Sequence, residues 1–390
     1  MIVAGIWQAS VLFAAGFLLY GCNNAFMVLS PVLVLDLGGS VVEAGVQGTA
    51  FVAAAVGLRF LFGPLSDRRG LKPVMLSGAL AYVVTGPLLA LCAEFWQVLL
   101  VRCAQAAGLA AYFPAATAAV VAAAPAGRAG SMLGLYRLVS SASLMVAPAA
   151  AFFVVDASGF GTCLTLLGGC AAVAFGLVLA VRIPGGAGAS AAGGGARRLF
   201  VGDAPAMAPV LGATLLAALG YGLLGTYAAP FIEASLPGAP TGMLFTFVGA
   251  GGVVSNPLVG WASDRMRQGR LFAALLVCLG AGLVLLAAAP RGFELTLCAG
   301  FLVGFGYFGS MTCVLSIVAA RVAEERRVSA LALQQNGIDV GIACAGAAFG
   351  LAVEAAGSAA VFAAWGAATV ACAMVAVAWR AVRSGGKGRP

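Results

Sequence analysis

The chain has 390 residues, of which 62% are hydrophobic and 9% charged, with a mean hydropathy of +1.06. Soluble domains carry roughly 25% charged residues, so the composition excludes an ordinary soluble protein and points to an integral membrane one. The formal net charge of +8 would suggest a nucleic-acid partner in a soluble chain, but here it must first be tested against membrane sidedness.

Apolar runs between charges and turn residues predict twelve transmembrane helices, near 10–35, 44–63, 73–92, 95–120, 131–155 and 160–182, then 208–232, 243–263, 271–289, 294–318, 328–353 and 358–379. Each run approaches the roughly 20 residues that cross a bilayer, and a helix satisfies its own backbone in lipid. The N-terminus lacks the basic region of a cleaved leader, so the first run reads as the first span. Connections after even-numbered spans hold Arg68, Arg69, Lys72, Arg128, Arg182, Arg197, Arg198, Arg265, Arg267, Arg270, Arg321, Arg326 and Arg327. Those after odd-numbered spans hold Asp36, Glu43, Glu94, Asp156, Glu233, Glu294 and Glu354, with Arg291 as their single basic residue. The positive-inside rule then places both termini in the cytoplasm, for a multi-pass protein of the cell (inner) membrane. Topology accounts for the net charge, and no nucleic-acid partner is expected.

Gly63-Pro64-Leu65-Ser66-Asp67-Arg68 recurs as Gly260-Trp261-Ala262-Ser263-Asp264-Arg265, 197 residues later. Pro31 matches Pro230 and Arg128 matches Arg326 at offsets of 199 and 198, and the run from Ala147 to Phe152 resembles that from Ala345 to Phe349. A constant offset implies a duplicated six-helix unit. Because six is even, the expected halves are parallel, related by an axis along the membrane normal. The predicted organisation is an N-terminal six-helix bundle over 1–183, a flexible cytoplasmic linker over 184–207, a C-terminal bundle over 208–382 and a cytoplasmic tail over 383–390. The linker reading comes from the glycine-rich stretch Gly185 to Gly195.

The run Gly63-Pro64-Leu65-Ser66-Asp67-Arg68-Arg69-Gly70-Leu71-Lys72 resembles the signature between the second and third helices of the major facilitator superfamily. Arg102-Cys103-Ala104-Gln105-Ala106-Ala107-Gly108 resembles the fourth-helix R-x-x-Q-G pattern, with Ala106 in place of the first glycine. Arg59-Phe60-Leu61-Phe62-Gly63-Pro64 is similar to the run preceding the loop signature in the efflux-type branch, whose members export sugars, metabolites or drugs. Of the fifth-helix signature of drug antiporters, only Pro148 is intact, beside Ser143, Ala147, Ala151 and Phe152. The resemblance implies an all-α membrane fold of twelve helices and transport by alternating access. It also implies a conformational latch, formed by Gly63, Asp67, Arg68, Gly70 and Lys72 and by the echo Gly260, Asp264 and Arg265. In the family the first-half aspartate faces the start of the eleventh helix, which would bring Asp67 to the region of Ser329 and Asp264 to that of Ser131.

Charges within spans cost several kcal/mol and mark pathways or buried pairs. Arg59 is near enough to the cytoplasmic end to snorkel. Arg102, Arg137 and Asp339 lie deeper and are candidates for proton coupling, the arginine of the fourth helix being implicated in coupling by the resemblance. Asp339 is the one carboxylate clearly inside a span, and its other reading is a structural pair with Arg137 or backbone. Tyr20, Asn23, Asn24, Tyr112, Tyr221, Tyr227, Tyr307, Gln334, Gln335 and Asn336 are candidates for a substrate cavity, with helix packing as the alternative for each. Ten cysteines lie in or beside apolar runs without C-x-x-C spacing, and histidine is absent, so neither a metal site nor a cofactor is expected. Without histidine, a close carboxylate pair or a nucleophile beside a base, the sequence argues against an enzyme. The expected function is a secondary transporter that exports a small organic solute as a proton antiporter. Uptake or facilitated diffusion on the same fold is the alternative. The expected partners are the solute, protons and the lipid bilayer, and the protein is expected to be a monomer.

Overall fold

The structure, a computed structural model, describes residues 2–123, 129–181, 183, 204–263, 265–321 and 324–385. Regular structure among the described residues is entirely helical. The first unit contains α1 (Ile2–Asp36), α2 (Val41–Arg69), α3 (Leu71–Ala90) and α4 (Phe95–Ala122). A stretch from Ala129 to Ala180 follows, in which Gly159 (φ 80°, ψ 167°) breaks the helical path. It therefore comprises two helices, α5 (129–158) and α6 (160–180). The second unit contains α7 (Ala204–Ser235), α8 (Gly242–Ser263), α9 (Gln268–Leu286), a 3-10 turn at Ala289–Arg291, α10 (Phe293–Arg321), α11 (Glu324–Ala356) and α12 (Ser358–Gly385).

Eleven helical stretches among the described residues are long and apolar enough to cross a membrane. One of them, Leu135–Ala180, runs for 46 residues and contains the Gly159 break, so the crossings number twelve, as the sequence predicts. The chain is a multi-pass membrane protein. The helices extend beyond the predicted spans: α1 reaches back to Ile2, α7 begins at Ala204 inside the stretch expected to be linker, and α12 runs to Gly385 into the expected tail. The glycine-rich run from Gly185 to Gly195 lies outside the described residues.

The chain divides into two compact units, Met1–Gly202 and Asp203–Pro390. Within the first, α1 packs on α5, α2 on α4, and α3 on α4 and α6; within the second, α7 packs on α11, α8 on α10, and α9 on α10 and α12. The second list is the first with six added to every label, so the duplication seen in the sequence is also one of packing. Its contacts recur residue by residue. A Cβ on Gly21 would lie 3.3 Å from Ala147, and one on Gly222 would lie 2.8 Å from Ala345. Gly108 meets Tyr82 where Gly306 meets Leu279, and Gly168 meets Pro87 where Gly366 meets Val284. Between membrane helices there is no hydrophobic driving force, so small residues that let backbones approach set the crossings. The reversals repeat too: Gly159 and Gly357 (φ 81°) turn α5 into α6 and α11 into α12, while Gly38 and Gly238 (φ 82° and 80°) follow α1 and α7. Exposed Phe60, Leu100, Phe153, Val173, Leu351 and Val375 supply the apolar surface a bilayer covers.

Candidate functional site

At the loop signature, Gly70 joins α2 to α3 in a single residue at φ 86° and ψ 167°, its N–H donating to the Ser66 carbonyl at 2.9 Å. This backbone region is open essentially to glycine alone, which explains that position of the motif. Lys72 Nζ donates to the carbonyls of Leu179 and Val181, both at 2.7 Å. The ammonium thus caps the C-terminal end of α6, where unpaired carbonyls and the helix dipole both favour a cation. Arg68 is exposed. In the echo, Arg265 lies 4.4 Å over the Trp261 ring and donates to the Trp261 carbonyl at 3.2 Å. Gly63 and Gly260 have open space where a Cβ would project. The side chains of Asp67, Ser131 and Ser329, and all of Asp264, lie outside the described residues.

Arg102, on α4, is 1% exposed. Its Nε donates to Gln47 Oε1 of α2 at 3.1 Å, one terminal nitrogen donates to Gln105 Oε1, and the other lies 3.6 Å from Met27 Sδ of α1. The guanidinium sits 3.9 Å over the Phe51 ring. A full positive charge is therefore buried at membrane depth among neutral side chains, with no carboxylate beside it among the described residues. Gln105 Nε2 is also buried and has no acceptor among the described residues. In the duplicated half, the equivalent position is Gly300, whose missing side chain admits Leu244 and Val248. The α8–α10 crossing thus forms without any such charge, so a helix crossing of this kind does not itself require Arg102.

Along α1, Tyr20 packs 4.4 Å from Phe113 and 5.7 Å from Tyr136, ring to ring. Gly16 makes room for Tyr136, and Gly108 for Tyr82. Asn23 Oδ1 accepts from the Tyr82 hydroxyl at 2.8 Å, and Asn24 Nδ2 donates to Ser143 Oγ at 3.2 Å. Arg137 is exposed on α5, near enough to Tyr20 to interact electrostatically. Tyr112 is fully buried, its backbone pressed against Gly78 and its hydroxyl beside that of Tyr136.

In the second unit, Tyr221 stacks on Tyr307 at 4.0 Å with the rings 7° from parallel, and Phe308 meets both edge-on. Tyr227 donates its hydroxyl hydrogen to the Gly346 carbonyl, tying α7 to α11 beside the Gly222–Ala345 contact. Gln334 is buried with Nε2 3.8 Å from Met311 Sδ. Asp339 is buried on α11, at the position equivalent to Ser141 of α5. The side chains of Gln335 and Asn336 lie outside the described residues.

The structure brings Tyr20, Asn23 and Asn24 into one network with Tyr82, Phe113, Tyr136 and Ser143. It brings Tyr221 and Tyr307 together, and it directs Tyr227 to the backbone instead. Sequence reasoning missed Gln47, Tyr82 and Ser143 as partners. Gln47 and Tyr82 are uncharged polar side chains in apolar stretches, and Ser143 is one of three serines within four residues, so nothing in the sequence singles them out as partners.

Two like six-helix membrane units, with a buried charge and buried polar networks but no appended domain among the described residues, define a transporter of small solutes. The Major Facilitator Superfamily model matches residues 12–236 and 210–390, and the chain belongs to that family. It is similar to the multidrug transporter MdfA of Yersinia pestis bv. Antiqua (strain Angola), at 36% identity over 93 residues. That match covers 24% of this chain and 23% of the relative, so it spans about a quarter of the curated relatives' length. In fold the chain is similar to the nucleoside transporter NupG in its D323A mutant (TM-score 0.79, 16% identity, 95% of this chain and 99% of that one). It is also similar to a bacterial homologue of the human lysosomal transporter Spinster (TM-score 0.71, 16% identity, 96% of each chain).

Proposed function

We propose that the protein exports a small organic solute, a metabolite or drug, across the inner membrane by alternating access, in exchange for protons. Both termini then face the cytoplasm, and the transporter works as a monomer. The observation that carries the coupling is Asp339, a buried carboxylate in the membrane-capable part of α11 whose counterpart in the duplicated half is a serine. A carboxylate inside a span can exchange a proton during the cycle, and Arg102 and Arg137 are the further candidates for coupling. The local likeness to a multidrug transporter supports export as the direction. Asp67 and Asp264 act as latches at the cytoplasmic helix ends, so Asp67→Asn abolishes transport in protein that is still folded and inserted; retained transport removes the latch.

The second reading, an uptake symporter or facilitator, is favoured by α5, where Ala147 occupies the position that meets Gly21 and only Pro148 of the export signature remains. Energised inverted vesicles separate the two. Substrate-dependent proton release from the lumen supports export by antiport, and equilibration of solute that ignores the gradient supports a facilitator.

A further inference from the structure

Between Leu19 and Val34, α1 buries every residue except Tyr20, Asn23, Asn24 and Met27. Their spacing of i, i+3, i+4 and i+7 places all four on one face of the helix. The exposed positions that meet lipid elsewhere are large and apolar, such as Phe60 and Phe153. This stripe is half-buried and polar at its centre.

Hydrogen bonds fix which amide atoms of the two asparagines are left open. Ser143 Oγ gives its hydrogen to the Ser140 carbonyl at 2.8 Å, so it can only accept from Asn24 at 3.2 Å. The atom facing it is therefore Nδ2, and Asn24 Oδ1 is left as an acceptor. Tyr82 is fully buried, and the one group its hydroxyl reaches among the described residues is Asn23 at 2.8 Å. The reverse amide orientation would strand the hydroxyl hydrogen without an acceptor. Tyr82 therefore donates to Oδ1, and Asn23 Nδ2 is left as a donor. Neither open atom is among the buried unpartnered ones, in contrast to Gln105 Nε2. Below the pair lies the Tyr20 ring, braced by Phe113; above it, Met27 covers Arg102.

We infer that this stripe selects the transported solute: an uncharged ring compound whose edge carries a hydrogen-bond acceptor next to a donor, as in a lactam or a pyrimidine amide edge. The acceptor meets Asn23 Nδ2, the donor meets Asn24 Oδ1, and the ring lies against Tyr20. Tyr82 and Ser143 are positioning residues that set the sense of the two amides. The inference rests on the transport reading above and deepens it.

The test uses the full chain, purified and in proteoliposomes, with four probes: uracil, 2-pyridone, and their N-methylated forms 1,3-dimethyluracil and N-methyl-2-pyridone. The parent compounds bind about tenfold more tightly than the methylated ones, the worth of one hydrogen bond at the strong end of its range. Asn24→Leu brings that ratio close to one. Tyr82→Phe keeps the ring in its Gly108 recess, raises KM by about three- to tenfold, and narrows discrimination between probes, which a purely structural defect would leave unchanged. Ser143→Ala, which frees Asn24, narrows it likewise and stands in if Tyr82→Phe does not fold. Equal binding of parent and methylated probes, discrimination that survives Asn24→Leu, or no binding of any probe overturns the assignment. In each case export itself stands if another solute is still exchanged for protons; if no solute is moved, with or without a gradient, the transport reading falls instead.

Discussion

Replacing Arg102 alone and replacing its whole polar cluster should have opposite effects on stability and the same effect on transport. Arg102→Met leaves Gln47 Oε1 and Gln105 Oε1 without donors in a site where both glutamines are at most 1% exposed. At about 1–3 kcal/mol for each buried group left unpaired, the loss is about 2–6 kcal/mol. The triple variant Arg102→Met, Gln47→Leu, Gln105→Leu removes the charge, both amides and the existing orphan Gln105 Nε2. Exchanging a buried ionic cluster for apolar groups of similar size is often neutral or stabilising by about 1–4 kcal/mol. The duplicated half already makes its equivalent crossing with Gly300 against Leu244 and Val248. Thermal unfolding of detergent-purified protein, beside substrate-dependent proton movement in proteoliposomes, reads both effects. The single variant should unfold at lower temperature than wild type, the triple should recover, and neither should transport. A triple variant no more stable than the single would show that the charge holds α1, α2 and α4 together, and a triple variant that transports normally would refute a functional role for Arg102.

A Cβ on Gly304 would fall 1.9 Å from the Val248 carbonyl oxygen, so Gly304→Ala must push α8 and α10 apart and should cost at least about 1–3 kcal/mol. Gly176→Ala, with open space at its Cβ, should gain up to about 1 kcal/mol from helix propensity; equal unfolding temperatures for the two would contradict the packing described. Gly70→Ala forces an alanine to φ 86° and should lose about 1–3 kcal/mol. By contrast, Arg267→Ala, at the equivalent junction with φ −62°, should change stability by less than about 0.5 kcal/mol.

The duplication was legible because a loop signature with fixed charges and glycines tolerates few alternatives, and Asp67 and Asp264 carried the register. The one-residue reversals were less so. Asp156 and Glu354 mark the two connections, but only the φ values of Gly159 and Gly357 reveal why each turns on a single glycine. Within the site, Asn23, Asn24 and Arg102 stand out as polar groups in apolar helices, so sequence alone could nominate them. Their partners Tyr82, Ser143 and Gln47 come from α3, α5 and α2, and no periodicity along a chain reveals which distant helix supplies a hydrogen bond. For Tyr112 and Tyr227, a phenol that lines a cavity and one that packs between helices have the same signature. The structure buries the Tyr112 side chain and turns the Tyr227 hydroxyl onto the Gly346 carbonyl.

Asp339→Asn in proteoliposomes with an internal pH dye tests the account most directly. Wild-type protein should move protons whenever an exported solute moves, and should use a pH gradient to accumulate that solute. Asp339→Asn should retain solute exchange while losing both proton movement and gradient-driven accumulation. Unchanged gradient-driven transport in Asp339→Asn would contradict the coupling role on which the account rests.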